Sequence, residues 1–188
     1  MRSSNKAHEL IKKYEGLRLK AYKAVSGEKY YTIGYGHYGK NITKGMIITK
    51  ETAESLLHND IKKAENAVNI YNPLYSFSQC QYDALVSFAF NVGNIKQLTN
   101  NGKRTISQIA NALPLYCKSG GVKLNGLVKR RNEELTLFLS ETNELETVAR
   151  QVLTGKWGNG QARKEALTLA GYDYKEIQSI VNKLLKEV

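Results

Sequence analysis

Glu15-Gly16, followed closely by Thr32-Ile-Gly-Tyr-Gly-His37, constrains the fold of this chain more than any other feature. Ile11, Tyr14, Leu17 and Leu19 mark an apolar helical face leading to the glutamate, and Gly16 directly after it is a poor residue for continuing a helix. The glycine-punctuated block reads as a β segment. The chain must therefore present one carboxylate at a helix end beside a small sheet. Among Tyr14, Tyr22 and Tyr35 that carboxylate is expected to be partly desolvated, which would raise its pKa and suit it to general-acid work.

Helical patterns dominate the remainder. The first domain, 1–143, reads as a helix over 4–16, a β region around 20–48, and helices near 49–70, 78–92, 105–116 and 126–140. Lys118-Ser-Gly-Gly121 reads as a loop, and Ser140-Glu-Thr-Asn143 as a short polar connection to the tail. The tail, 144–188, reads as three short helices, the first ending at Gly155, the second at Gly171, the third starting near Tyr174. Leu145, Val148, Val152 and Leu153 supply one apolar face, Leu167 and Leu169 a second, and Ile177, Ile180, Val181 and Leu184 a third. The expected class is α+β, mainly helical: one domain with a small β region, then a three-helix bundle near the lower size limit for a domain.

Charge narrows the partners. The net charge is +11, with 21 Lys or Arg against 11 Asp or Glu in 1–143 and 7 against 6 in 144–188. Such a balance favours an anionic polymer. Lysines such as Lys12, Lys13, Lys62 and Lys63 fall on helix faces where a solvated surface is the default, and no recognition helix or RNA-binding motif accompanies them, so specific nucleic-acid binding is not expected. No run of eighteen apolar residues exists to span a membrane. The N-terminus lacks the apolar core of a signal peptide, so the expected location is a cytoplasm. Cys80 and Cys117 read as reduced thiols, and His8, His37 and His58 show no ligand spacing, so neither a metal nor a cofactor is expected.

Three further strings extend the first. Thr49-Lys-Glu-Thr-Ala-Glu-Ser-Leu-Leu-His-Asn-Asp60, Gln81-Tyr-Asp-Ala-Leu-Val-Ser-Phe-Ala-Phe-Asn-Val-Gly93 and Gly126-Leu-Val-Lys-Arg-Arg-Asn-Glu133 follow Glu15–His37 in order. Together they resemble the phage lysozymes of glycoside hydrolase family 24. The resemblance implies an endolysin that hydrolyses the β-1,4 bond between N-acetylmuramic acid and N-acetylglucosamine of peptidoglycan, with Glu15 as acid and the Thr32 hydroxyl holding water. It further implies a His37–Asp60 ion pair near the cleft, stabilising chiefly at neutral to mildly acid pH, with Tyr35 and His37 on the substrate side. Release from a host bacterial cytoplasm to the wall through a holin-type pore is implied as well.

One position departs from the family. Nine residues after Glu15, where the family carries its second acidic or cysteine residue, stands Ala24, and the spacing onward to Thr32 is two residues longer. Glu28 is the only acid between Glu15 and Thr32, so it is the candidate second carboxylate; the competing reading is a solvated turn residue beside Lys29. An inverting mechanism would hold the two carboxyl groups roughly 6.5–9.5 Å apart. A wall-binding protein with impaired catalysis and a lytic transglycosylase are the alternatives.

The tail carries its own resemblance. Gly155-Lys-Trp-Gly-Asn-Gly160, Arg163, Leu167, Ala170-Gly-Tyr-Asp-Tyr174 and Val181-Asn182 resemble the CW-seven cell-wall-binding repeat, here in a single copy. That implies recognition of the glycan–peptide unit of peptidoglycan. Arg163 is suited to pair with a peptide carboxylate, and the Asn159 amide and Tyr172 hydroxyl to bind polar groups. Trp157, the one tryptophan, reads better as the anchor of a tiny core.

Overall fold

Five helix starts in this chain are set by short polar side chains that accept hydrogen bonds from otherwise orphaned backbone N–H groups. Ser4 caps α1 (Asn5–Glu15), Thr49 caps α2 (Lys50–Asn69), and Asp173 caps α8 (Tyr174–Leu184). Ser78 with Gln81, and Thr105 with Gln108, form reciprocal capping boxes at α4 (Gln79–Val92) and α5 (Ile106–Ala112). The structure, a computed structural model, describes residues 1–23, 25 and 27–186; Ala24 and Ser26 lie outside the described residues, and of 141–143 only the backbone is described.

The chain divides into two compact units, Met1–Phe138 and Leu139–Val188. In the first, α4 is buried along most of its length, from Tyr82 to Ala89, and is apolar around most of its circumference, as a central helix should be. Helix α1 brings Ala7 and Ile11 against it, and α2 brings Ala53, Leu57, Ile61, Ala64 and Val68 to the same core. Phe88 is wholly excluded from water, a burial that contributes roughly 1.5–3 kcal/mol. The short α3 (Asn72–Tyr75) follows α2, with Pro73 in its first turn. A 3₁₀ turn over Leu113–Leu115 closes α5.

Three antiparallel strands, β1 (Arg18–Tyr22), β2 (Tyr31–Gly34) and β3 (His37–Gly39), form the sheet in the order β1-β2-β3. Thr32 lies opposite Tyr38 on β3 and Tyr22 on β1, and a bulge interrupts β1. At Gly34 a Cβ would stand 3.3 Å from that of Ala53, so the glycine lets the sheet lie close on α2.

The N-terminus is tied into this unit by acceptors far along the chain. Ser4 donates its backbone N–H to Asp83 Oδ1 at 2.8 Å and its hydroxyl to Asp83 Oδ2, and Gln79 Nε2 donates to the same carboxylate at 2.9 Å. Asp83 is fully buried and satisfied by these donors. Ser3 donates to Glu65 through both its N–H and its hydroxyl, 2.7 Å each, and its Oγ lies 3.0 Å from His8 Nε2.

Two expectations are corrected in the middle of the chain. The loop expected at 118–121 is a hairpin of two-residue strands, β4 (Lys118–Ser119) and β5 (Val122–Lys123), turning at Gly120 and Gly121, both at positive φ. The connection expected at 140–143 is helix: α6 runs unbroken over Asn125–Leu153. Ser140-Glu-Thr-Asn143 contains no glycine or proline, and weak helix formers alone do not end a helix flanked by strong ones. The expected division after residue 143 falls inside α6, and the two compact units meet five residues earlier.

In the second unit the end of α6, α7 (Gly160–Leu169) and α8 enclose Val148, Ala149, Val152, Leu167, Ile177, Val181 and Leu184. Trp157 and Tyr172 pack against this cluster and meet edge to face, ring centroids 5.9 Å apart. Leu153 and Leu169, expected in the core, are 44% and 92% exposed. Residues two apart on a helix point to different faces, so Leu167 and Leu169 cannot both face the bundle.

Candidate active site

Glu15 is the last residue of α1. Gly16 then turns the chain at φ +67°, donating its N–H to Lys12 O at 3.0 Å. The Glu15 side chain is 22% exposed, and its Oε1 receives a 2.7 Å hydrogen bond from Arg130 Nη1. Oε2 lies against the β2–β3 turn, 3.2 Å from where a Cβ on Gly36 would be. Gly36 has φ +86° and so meets two demands, a left-handed turn and a close carboxylate, that no other residue meets without strain.

Arg130 is 3% exposed and holds more than Glu15. Its Nε donates to Glu134 Oε1 at 3.1 Å and its Nη2 to the Ser87 carbonyl at 3.1 Å, while Ser87 Oγ donates to Glu134 Oε1 at 2.8 Å. Arg131 is fully buried, its Nη2 donating to Asn91 Oδ1 at 2.8 Å and its guanidinium 4.6 Å from the Phe88 ring centre. Arg131 Nε stands 3.1 Å from Glu134 Oε2 but out of hydrogen-bond alignment. Burial pushes Glu134 up and Arg131 down, and each is opposed by the opposite charge beside it. Two buried cations thus face two carboxylates, Glu134 and Glu15. Glu15, partly desolvated, is also one end of an ion pair at the edge of this buried polar network. Tyr14 borders it: its hydroxyl is buried without a hydrogen-bond partner among the described residues, and burial raises the phenol to about 12.

Gly36 also lines a cleft of ≈ 320 Å³ with Tyr38, Asp60, Lys63, Phe90 and Gly93. His37 Nδ1 lies 2.6 Å from Asp60 Oδ2, and Lys63 donates to Asp60 Oδ1 at 2.8 Å, the pair that the resemblance implied. Thr32 is 7% exposed in the middle strand. Tyr35, read as a substrate contact, is buried, with its hydroxyl donated to Glu54 Oε1 at 3.3 Å. Lys12 bonds the other Glu54 oxygen at 2.7 Å, so the Tyr35 ring is committed to holding α1, α2 and the turn together. Glu28 is half-buried in the β1–β2 connection, its N–H donated to Val25 O at 3.3 Å, while Ala24 lies outside the described residues. Among the described residues no cluster of three or more His, Cys, Asp or Glu could hold a metal, and both cysteines are free.

In the second unit the structure joins two of the three expected contacts. Arg163 Nη2 donates to Asn159 Oδ1 at 2.9 Å and its Nε to Gly158 O at 3.0 Å, bracing the turn before α7. Tyr172 donates its hydroxyl to Glu144 Oε1 at 3.0 Å, which raises the phenol pKa. Trp157 Nε1 donates to Gln151 Oε1 at 3.1 Å. Arg163 and Tyr172 therefore have structural partners, and any ligand would use their remaining donors and faces. Sequence reasoning missed Arg130. Its signal lay in Arg130, Arg131 and Glu134, charges three and four residues apart on a helix flanked by Leu127, Val128, Leu135 and Phe138.

The phage lysozyme family profile matches residues 12–134, and the CW_7 repeat profile matches 146–185. The endolysin of Bacillus phage B103 is 46% identical over 158 residues, covering 80% of this chain; the chain spans 58% of that relative's length. The endolysin of Acyrthosiphon pisum secondary endosymbiont phage 1 is 39% identical over 151 residues, covering 74% of this chain and 99% of the relative. Among solved structures, the muramidase domain of SpmX from Asticaccaulis excentricus is 34% identical with a TM-score of 0.62, covering 73% of this chain and 97% of that one. The family match spans both Glu15 and Arg130, and on these grounds the chain belongs to the phage lysozyme family.

Proposed function

We propose that this chain is an endolysin: a muramidase that hydrolyses the β-1,4 bond between N-acetylmuramic acid and N-acetylglucosamine, with its tail binding the same wall. The first unit, Met1–Phe138, would carry the chemistry, and the second, Leu139–Val188, the wall-binding repeat. One contact supports the assignment above others. Glu15 Oε2 lies 3.2 Å from the Cβ position of Gly36, the glycine that also lines the cleft, while Arg130 fixes the other oxygen. Protonated Glu15 gives its proton to the glycosidic oxygen as the bond to the muramic acid C1 breaks. Water held by the Thr32 hydroxyl attacks C1 from the opposite face and loses its proton to Glu28, which gives inversion. No metal or cofactor enters these steps. The enzyme would be made in the host cytoplasm and reach the wall through a holin-type pore, and its basic surface would be attracted to anionic wall polymers.

The test is digestion of purified peptidoglycan with mass analysis of the fragments. Glu15→Gln should retain the fold and wall binding while losing at least about a hundredfold in rate, the usual scale for general-acid catalysis. Near-normal hydrolysis by folded Glu15→Gln overturns the acid assignment. Anhydro-sugar ends would identify a transglycosylase, and an inactive wild type that still binds walls would identify a binding protein. Unchanged activity in Glu28→Ala would leave Thr32 and backbone groups to position the water.

A further inference from the structure

Charge on the first unit is concentrated in one stretch. Between Glu15 and Glu51 stand Arg18, Lys20, Lys23, Lys29, Lys40, Lys44 and Lys50 against a single acid, Glu28, so 35 residues carry six of the chain's eleven net positive charges. All seven cations are exposed, on or beside the three-stranded sheet. Three of them rest on tyrosine faces: Arg18 lies 4.5 Å from the ring centre of Tyr22, Lys23 5.2 Å from Tyr31, and Lys29 5.3 Å from Tyr30. Tyr30 and Tyr38 meet edge to face at 5.6 Å. A lysine paired with a carboxylate is neutralised. One resting on a ring keeps its full charge and outward donors while its stem is already ordered, which lowers the entropy lost on binding an anion.

From this surface we infer that the sheet is a second binding site, for a phosphodiester polymer carried on the wall glycan. The inference rests on the reading of the wall as target. Two features select that occupant. The cations are spread along a surface instead of gathered in one pocket, which suits repeated phosphates. Tyr38 belongs to both the sheet and the cleft that Gly36 lines, so a polymer attached to the glycan can follow the sheet while the glycan occupies the cleft.

The full chain is titrated with purified poly(glycerol phosphate) by fluorescence anisotropy. Arg18→Gln/Lys23→Gln/Lys29→Gln is compared with Lys103→Gln/Lys118→Gln/Lys129→Gln, which removes equal charge elsewhere on the same unit; circular dichroism checks both folds. The sheet variant should lose about tenfold or more in affinity and show a flatter salt dependence, while the matched variant stays near wild type. Equal losses in the two variants, or no binding by wild type, overturn the site. Tighter binding at equal phosphate concentration to phosphatidylglycerol vesicles or to a single-stranded oligonucleotide overturns the choice of polymer. The titration involves no cleavage, so a wild type that binds the polymer yet hydrolyses nothing would overturn the muramidase reading and leave this site standing.

Discussion

Arg130 and Arg163 put the same side chain to opposite uses in the two units. Arg130 is buried and joins Glu15, Glu134 and the Ser87 carbonyl, partners as far as 115 residues away in sequence. Arg163 is half-buried and bonds groups four and five residues away. The first unit takes charge into its interior to hold a carboxylate at the edge of a cleft. The second keeps an apolar core and makes its polar contacts at the surface, most of them between residues a few positions apart, with Tyr172 to Glu144 the exception. Removing one buried charge should therefore damage the first unit widely, whereas the second should respond mainly to loss of apolar volume.

The largest effect is expected from Glu134→Ala. It leaves two buried arginines with one carboxylate fewer, and loss of one partner of a buried pair costs roughly 3–5 kcal/mol. Urea unfolding measures this directly, and a loss below about 1 kcal/mol would mean that the arginines are solvated on substitution, contrary to the contrast drawn here. Leu167→Ala comes next, at roughly 2–5 kcal/mol, the range for a fully buried leucine. In so small a unit that is enough to open the tail, so amide exchange should quicken over 174–184 while 82–89 stays protected.

Acidification should produce an intermediate loss, centred on the first unit. Burial lowers His8 below its ordinary value of 6.5, and hydrogen bonds from Lys12 and Lys13 lower Glu54 and Glu133 below 4.5. The unfolded chain binds each of these protons more tightly. Each contribution is therefore complete above the ordinary value and lost as pH falls, from about 6.5 downward for His8 and from 4.5 downward for the glutamates. Glu134, raised by burial, opposes the lower limb. His8 faces Ser3, Glu65, His58, Lys12 and Asp83, and His8→Gln should flatten the upper limb of a melting-temperature profile; an unchanged limb would remove His8 from the account. The smallest effects belong to the tail surface. Arg163→Ala should cost about 1 kcal/mol for its local hydrogen bonds, and Leu169→Ser should stay within about 0.5 kcal/mol. A large loss from Leu169→Ser would show that its exposed face is covered by something.

What the sequence made legible was local. Ser78 with Gln81 and Thr105 with Gln108 announce their helices by spacing, and Gly16 ends α1 where its neighbours predict. The strings put Glu15 at a helix end and Thr32 in a strand, where the structure has them, and the resemblance implied the His37–Asp60 pair. Failures came where the deciding contact is distant or weakly encoded. Nothing near Glu15 announces Arg130, because a pairing across 115 residues leaves no periodic trace. The resemblance put Tyr35 on the substrate side, yet its hydroxyl is held by Glu54 of α2, which Lys12 of α1 also pairs. The continuity of α6 turned on the absence of a breaker, which polar composition disguises.

The distant partners of the first helix set an order of assembly during synthesis. Ser4 finds its Asp83 acceptors only after 79 further residues have been joined, and Glu15 finds Arg130 only after 115. At 5–20 residues per second, the interval between making the carboxylate and making its partner is on the order of ten seconds. A nascent chain interrupted after residue 15 and before residue 130 carries the acid but lacks the guanidinium that orients it.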